Sequence, residues 1–219
     1  MNSAGRQEHG SEDRVRRRSR GPVRAYVVAG APASGKSVLG AALSRRIHAA
    51  LLDQDVLTGP LTAVVAELVG AAPGDLDDPR VRSATRQATY DALLHTAEGC
   101  LAADVPVVLV APFTAERSDP AAWLKLVARL HPPGGVVLVW ADCPPDELVR
   151  RLTTRGAARD RRKLADLDAF LASGVTDPPA VPHIPVDTTA AVVDQVTAVL
   201  LGTFHEYVTG IVDNDVTSL

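Results

Sequence analysis

An apolar run that ends in glycine and is followed closely by Gly-Lys-Ser constrains the fold of this chain more than any other feature. The segment is YVVAGAPASGKSVLG, and Gly30 to Ser37 satisfies the pattern G-x-x-x-x-G-K-[ST]. The glycines let the backbone curl so that its N–H groups point at phosphate oxygens. A buried strand before the motif and a helical pattern after it are the context that this chemistry requires. The sequence therefore predicts a phosphate-binding loop.

This loop predicts which residues bind a nucleotide and its metal ion. The expected contacts are Gly30, Ala33, Ser34, Gly35, Lys36, Ser37 and Val38. Lys36 should bind the β- and γ-phosphates of ATP, and the Ser37 hydroxyl should hold Mg²⁺. The sequence has no guanine-reading Asn-Lys-x-Asp segment, so a signalling GTPase is not indicated. The loop itself does not decide between ATP and GTP.

Alternating strand and helix patterns from Val23 onward predict one α/β domain. Continuous valine and leucine runs such as VPVVLVAPF are typical of strands that are buried on both faces. We expect a three-layer P-loop NTPase fold over residues 23–212, with a five-stranded parallel sheet, helices on both faces and a small arginine-rich lid. The almost wholly polar residues 1–22 predict a disordered basic tail, and residues 213–219 a C-terminal tail.

Composition narrows the class of protein further. A chain of 219 residues, 46% hydrophobic and 22% charged, suits a single globular domain. The net charge of −3 gives no sign of a nucleic-acid partner, and the two cysteines, Cys100 and Cys143, fit a reduced cytoplasmic protein. The apolar runs are too short to cross a membrane. We expect a cytoplasmic monomer or homodimer that binds a small-molecule acceptor.

The acidic segment LLDQD supplies carboxylates, which the phosphate-binding loop lacks. The strand VPVVLVAPF ends in Ala111 and Pro112, without the acid that often binds magnesium. LLDQD follows the first helix, so it should end at the ligand-binding edge of the sheet. In an extended segment Asp53 and Asp55 would face the same cleft. One can organise Mg²⁺ and the other can take a proton from a hydroxyl, or one can simply cap the next turn.

These motifs together resemble those of an enzyme group. GAPASGKS, LLDQD and VRRLTTR are similar to the small-metabolite P-loop kinases, which include shikimate and gluconate kinase, and to the chloramphenicol phosphotransferases. The resemblance covers about residues 24–200. It implies ATP-dependent phosphorylation of a hydroxyl, with Asp53 near Mg²⁺ and Asp55 at the acceptor, or with these roles exchanged. The segment VAPFTAER departs from both named kinases, so the acceptor is not implied.

The arginine-rich segment ELVRRLTTRGAARDRRK predicts a lid at about residues 156–165. Arg151 and Arg155 lie four residues apart and share a helix face. The resemblance implies that Arg151 lies on the adenine side, that Arg155 binds the phosphates, and that Arg159 closes over the γ-phosphate. Neutralising the charge of the transferred group is a main requirement of phosphoryl transfer. A charged helix end explains two or three of these residues, but not the whole cluster.

Candidates for the acceptor site follow from the resembled fold. There, the acceptor lies among the helices after the second strand and the loop after the third strand. Arg82 and Arg86 share a face of one predicted helix and can hold a carboxylate or phosphate of the substrate. Thr114 follows the third strand, with Glu116 and Arg117 beside it. The alternative is that these arginines, Arg82 above all, are exposed helix residues without a role in the site.

The sequence leaves three functions open. The first is an ATP- and Mg²⁺-dependent kinase that acts on a hydroxyl of a small polar metabolite, such as a sugar, a sugar acid or a cyclitol. The second is an antibiotic or nucleoside phosphotransferase of the same fold. The third is a nucleotide-dependent switch or binding module that uses the basic tail RVRRRSR to engage a partner.

Overall fold

One parallel β-sheet forms the centre of the molecule. The computed structural model describes residues 22–216, with side chains as far as residue 205. The strands are β1 (Ala25–Ala29), β2 (Ala50–Asp53), β3 (Val107–Val110), β4 (Val136–Asp142) and β5 (Ile184–Asp187). Their order is β2-β3-β1-β4-β5, and every pairing is parallel. The predicted five-stranded parallel sheet is confirmed.

Helices cover both faces of this sheet. Within residues 22–216 they are α1 (Lys36–Ile47), α2 (Gln54–Leu68), α3 (Pro79–Ala102), α4 (Thr114–Ser118), α5 (Pro120–Leu130), α6 (Pro145–Arg155), α7 (Arg161–Ala165), α8 (Leu167–Ala172) and α9 (Val192–Val216). A 3₁₀ turn, Ala158–Asp160, precedes α7. Since strands and helices alternate along the chain, each strand is covered by the helices that connect it to the next.

The core has two apolar layers because side chains alternate along each strand. Val27, Leu109 and Leu138 point to the face that carries α3 and α5. Val28 and Val139 point to the opposite face, against α1 and α9. Full burial of each such side chain contributes roughly 1.5–3 kcal/mol relative to its exposure. The predicted three-layer α/β P-loop fold is confirmed.

Aspartate–proline pairs begin two of the helices, as the sequence predicts. The Asp78 carboxylate accepts a hydrogen bond from the Arg80 N–H (2.8 Å), and Pro79 opens α3. Asp119 likewise accepts from the Ala121 N–H (2.9 Å) at the start of α5. Such caps satisfy N–H groups that have no partner inside the helix.

Gly40 brings α1 unusually close to the sheet. A Cβ at this position would lie 2.4 Å from the Val110 Cγ2 atom of β3. The first turn of α1 carries Lys36 and Ser37. The close contact one turn later therefore determines how far these two residues stand above the sheet.

The second helix begins earlier than the sequence predicts. β2 ends at Asp53 and α2 begins at Gln54, so Asp55 lies in the first helical turn. The Asp53 carboxylate caps this turn by accepting from the Asp55 N–H (3.0 Å). The expectation that Asp53 and Asp55 project alike from an extended segment is wrong, because the capped helix replaces that segment.

The ends of the chain are described only in part. Residues 1–21, which hold most of the predicted basic tail, and residues 217–219 lie outside the described residues. At the C-terminus α9 continues to Val216. The domain boundaries stay predictions. Among the described helices, none combines the length and apolarity needed to cross a membrane.

Candidate active site

The phosphate-binding loop curls tightly between β1 and α1. The Ser34 N–H donates to the Ala31 carbonyl (3.1 Å), while Ala33 (φ 64°) and Gly35 (φ 97°) adopt left-handed backbone conformations. A Cβ at Gly30 would lie 2.4 Å from Ser34 Oγ. That hydroxyl is fully buried and has no hydrogen-bond partner within the described part of the chain.

Lys36 lies at the centre of the charged groups predicted from the separate motifs. Burial lowers the pKa of its ammonium group, and the attraction of nearby carboxylates opposes that shift. The charged side chains that act on Lys36 are Asp55, Asp53, Arg155 and Arg159. The fold thus brings donor-side and acceptor-side candidates together around one lysine.

The two candidate carboxylates have different surroundings. Asp53 is buried, and its Oδ1 atom is used in capping α2. The Asp55 side chain is 64% exposed, and its Oδ2 atom lies 2.6 Å from the Arg159 Nη1 atom. Asp53 is therefore rigidly held beside the loop, whereas Asp55 is accessible and paired with a lid arginine.

Ion pairs hold the predicted lid against the first turn of α2 and the segment before α3. α6 ends at Arg155 and is capped by Gly156, which has a left-handed backbone, and the 3₁₀ turn and α7 follow. The pairs join Arg159 to Asp55 (2.6 Å), Lys163 to Asp77 (2.5 Å), and Arg162 to Asp75 (3.4 Å) and Asp78 (3.4 Å). The lid cations are held by the first turn of α2 and by the segment before α3.

Arg155 is paired inside the lid. Its Nη2 atom lies 2.6 Å from Oδ2 of Asp160, a fully buried residue. Lys163 adds a longer contact to the other carboxylate oxygen (3.6 Å). Sequence reasoning missed Asp160, because an acid within RDRRK resembles any solvated surface charge. The role of Arg155 at the phosphates stays a prediction, since no phosphate tests it.

Arg151 contacts the phosphate-binding loop directly. Its Nη1 atom donates to the Ser34 carbonyl (3.1 Å), and its Nη2 atom donates to the Thr188 carbonyl (2.8 Å). The Glu147 carboxylate accepts from Nε (2.6 Å). Sequence reasoning missed Glu147 and Thr188. The four-residue spacing of Glu147 and Arg151 on one helix is a signal that could have found the first.

The arginines predicted for the acceptor line a groove on α3. This groove has a volume of about 420 Å³ and is lined by Pro79, Arg82, Ser83, Arg86 and Gln87. Arg82 lies 3.8 Å from Asp77 and its side chain is 58% exposed. Arg86 and Glu116 both act electrostatically on Tyr90. All of the residues that line the groove belong to the first half of α3, and Arg82 joins it to the acidic segment before that helix.

The loop after β3 is held by two other side chains. The Phe113 N–H donates to the Tyr90 hydroxyl oxygen (2.9 Å), and Thr114 beside it is exposed. Arg117 is buried, donates to the carbonyls of Asp177 (2.7 Å) and Gly174 (3.0 Å), and stacks on Trp140. Its guanidinium group is thus used within the protein, while Thr114 is open to a ligand.

The donors near the loop fit a magnesium ion that a nucleotide brings with it. Ser37 is exposed on the first turn of α1, and the Asp53 carboxylate is fixed nearby. Mg²⁺ takes few protein oxygens and fills its other positions with water and phosphate. The described residues contain no group of three or more His, Cys, Asp or Glu side chains that could hold a metal ion.

The parallel sheet, the curled loop and the helix that begins at its lysine define a nucleotide-binding protein of the P-loop class. Residues 26–174 match the family model described as "AAA domain" (AAA_33), and the chain belongs to this family. The match runs from β1 through the lid to the end of α8. It includes every residue of the charged group around Lys36.

Solved structures share this fold at low sequence identity. A candidate kinase from Chloroflexus aurantiacus superposes with a TM-score of 0.59 at 24% identity, covering 82% of this chain and 95% of that one. A gluconokinase from Sinorhizobium meliloti gives 0.51 at 23% identity, with 84% and 93% covered. Shikimate kinase from Aquifex aeolicus gives 0.50 at 16% identity, with 85% and 99% covered.

The likeness establishes the fold of the P-loop small-molecule kinases and confirms the family resemblance expected from the motifs. No curated protein sequence matches the chain. At these identities the comparisons carry no information about the acceptor.

Proposed function

We propose that the chain is an ATP- and Mg²⁺-dependent kinase that phosphorylates a hydroxyl group of a small polar metabolite. The observation that carries this proposal is that Asp55, Asp53, Arg155 and Arg159 all act electrostatically on Lys36, with Arg159 paired to Asp55 at 2.6 Å. A loop that only bound a nucleotide would need the lysine and the backbone N–H groups. Phosphoryl transfer also needs an acceptor carboxylate and cations over the transferred group.

The donor side consists of the loop and Lys36. The backbone N–H groups bind the phosphates, and Lys36 neutralises the outer phosphates. Ser37 and Asp53 would hold Mg²⁺, which spreads the negative charge of the β- and γ-phosphates. Val38 continues the first turn of α1 and is 57% exposed at the rim of the loop.

The acceptor side centres on Asp55. The acceptor oxygen forms a bond to the γ-phosphorus while the bond from phosphorus to the bridging oxygen of ADP breaks. The hydroxyl proton passes to the Asp55 carboxylate. In the described state Arg159 pairs with this carboxylate. We infer that the γ-phosphate draws Arg159 away, which frees Asp55 and places a cation on the transferred group.

The experiment is an acceptor screen that measures ADP release. The purified protein, ATP and Mg²⁺ are mixed with sugars, sugar acids and aminocyclitols. At least one class should raise ADP release above the rate without acceptor. Asp55→Asn should then lower kcat by about 10²–10⁴-fold, because the proton acceptor is lost. It should not weaken ATP binding, because Arg159 no longer has to leave the Asp55 carboxylate for the γ-phosphate.

A matched variant controls for the loss of one carboxylate. Asp146→Asn removes an exposed acid from the first turn of α6, away from this pair, and should leave kcat unchanged. Tight ATP binding without acceptor-dependent ADP release for any compound would count against a kinase. It would favour the nucleotide-dependent switch, which needs no hydroxyl acceptor.

A bulkier, more apolar acceptor is the second candidate. Val56 and Leu57 directly follow Asp55 and are 77% and 40% exposed. Exposed apolar side chains on the first turn of the helix that carries Asp55 suit an antibiotic or a nucleoside better than a sugar. The screen therefore includes amphenicols and nucleosides. Selective phosphorylation of these would support the second candidate over the first.

A further inference from the structure

We propose that Arg151 is a positioning residue, which holds the phosphate-binding loop in its phosphate-binding shape instead of contacting the adenine base. This inference rests on the proposed function, because it presupposes that the loop binds a nucleotide. It concerns how the loop keeps its shape, which the family match and the fold likeness leave open.

The first observation is the contact between Arg151 and one peptide of the loop. The Arg151 Nη1 atom donates to the Ser34 carbonyl (3.1 Å). A Cβ placed on Gly35 would lie 3.3 Å from the same nitrogen. The guanidinium group therefore lies against the Ser34–Gly35 peptide, on the side where only glycine leaves enough room.

Because the peptide is planar, the contact of Arg151 with the Ser34 carbonyl also fixes the direction of the Gly35 N–H, which can donate to a phosphate. The Ser34 carbonyl and the Gly35 N–H belong to one rigid plane and point in opposite directions. Fixing the carbonyl outward, toward Arg151, fixes the Gly35 N–H on the other side, into the loop. Arg151 thus orients a donor for a phosphate oxygen without touching the phosphate itself.

The far side of the guanidinium group is anchored to the sheet. Its Nη2 atom donates to the Thr188 carbonyl (2.8 Å), and its Nη1 atom lies 3.3 Å from the Thr188 hydroxyl. That hydroxyl and the Thr188 N–H both donate to the Asp142 carbonyl (2.8 and 2.9 Å). The ends of β4 and β5 therefore hold Arg151 from below.

Glu147 completes the support. Its Oε1 atom accepts from the Arg151 Nε atom (2.6 Å), one turn earlier on α6. All three nitrogens of the guanidinium group thus donate to the protein. A planar guanidinium group with three fixed hydrogen-bond partners can hold the loop rigidly, and a lysine could not make the same three hydrogen bonds.

The test compares nucleotide binding by Arg151→Lys and Arg151→Gln with that of the wild type. Isothermal titration calorimetry measures the Kd of MgATP, MgGTP and magnesium tripolyphosphate. If Arg151 positions the loop, both variants should bind all three ligands more weakly by a similar factor of about ten to a hundred. This is the loss of affinity expected when one or two charge-assisted hydrogen bonds are removed. The ³¹P resonance of the bound β-phosphate should also shift.

Two further variants sharpen the comparison. Arg150→Gln removes the neighbouring arginine, which also pairs with Glu147 (2.6 Å) but is 66% exposed, and it should leave every Kd unchanged. Glu147→Gln keeps Arg151 but loosens it, and should weaken all three ligands by a smaller common factor. This variant tests the positioning role of Arg151 even if the Arg151 variants fail to fold.

Specific outcomes overturn the inference. A loss confined to MgATP, with tripolyphosphate binding unchanged, would show that Arg151 serves the base. Wild-type protein that binds MgATP but not tripolyphosphate would likewise show that base contacts dominate. Wild-type protein that binds none of the three would overturn the proposed function, and this inference with it.

Discussion

At the scale of single residues, the burial of Lys36 gives nucleotide binding a pH dependence. Desolvation lowers its pKa, so the free protein loses this charge at a lower pH than the ordinary lysine value of about 10.4. We expect the ATP Kd to begin to rise at a pH below that ordinary value. Titrations of the wild type and Lys36→Arg measure the effect.

The arginine variant is the matched control, because a guanidinium group does not deprotonate in this range. Lys36→Arg should bind more weakly at neutral pH, since the loop is built for a slimmer side chain, but its Kd should stay nearly constant with pH. Parallel pH profiles for the two proteins would contradict the assignment of the effect to Lys36.

Glu147 makes the fold sensitive to acid. Hydrogen bonds from Arg150 and Arg151 lower the pKa of Glu147 to about 2. A carboxyl whose folded pKa is depressed stabilises the protein above its unfolded pKa of about 4.3, and this contribution is lost as the pH falls through the folded value. The difference in stability between wild type and Glu147→Gln should therefore shrink between pH about 5 and 2.

Denaturant unfolding at several pH values measures this difference. The neighbouring Asp146→Asn variant serves as the control, because Asp146 is exposed on the same helical turn. A stability difference between wild type and Glu147→Gln that does not change with pH would contradict the role of the ionised carboxylate.

At the scale of elements, the close contact between α1 and β3 requires a glycine at position 40. Gly40→Ala places a methyl group where Val110 now lies, and overpacking of this kind costs about 1–3 kcal/mol, more than the helix-propensity gain of about 1 kcal/mol. The free energy of unfolding should fall. ATP binding should weaken as well, because the displaced helix carries Lys36.

Gly99 provides the matched substitution. It lies within α3, and a Cβ added there would meet open space, with no neighbouring atom of the described residues within 4 Å. Gly99→Ala should therefore stabilise the protein by about 0.5–1 kcal/mol. Equal effects of the two alanines would mean that propensity, not the contact with Val110, decides the outcome at Gly40.

Elements were predictable from the sequence where local chemistry determines them. The loop follows from glycine spacing, and the starts of α3 and α5 follow from Asp78–Pro79 and Asp119–Pro120. The start of α2 was missed because LLDQD also fits a strand, and the capping bond from the Asp55 N–H to Asp53 decides between the two conformations. That bond forms only once β2 has ended.

At the scale of the whole molecule, the lid is tied down by pairs between distant parts of the chain. Lys163 bonds Asp77 and contacts the buried Asp160. Each such pair contributes up to about 1 kcal/mol, so Lys163→Met should raise the hydrogen-exchange rate of amides in residues 156–165 by about fivefold. Mass spectrometry of exchanged peptides measures this rate.

Lys125→Met, at an exposed position on α5, controls for the loss of a lysine and should leave the lid amides unchanged. Lid exchange that is identical in both variants would contradict the role of these ion pairs. Such pairs could not be read from sequence, because RDRRK offers several cations and DLDDP several carboxylates. Only the packing of α7 against the segment before α3 selects the partners.

The order of the strands divides the candidate site into two parts that could evolve separately. β2, α2 and α3 form one continuous stretch, residues 50–102, at one edge of the sheet, whereas the phosphate-binding loop follows the central strand β1. Three of the acceptor candidates, Asp55, Arg82 and Arg86, lie within that stretch, whereas Thr114 follows β3. Recombination or grafting of a single segment could therefore exchange the acceptor while leaving the nucleotide machinery intact. Such modularity would let one scaffold diversify its substrates without rebuilding its centre.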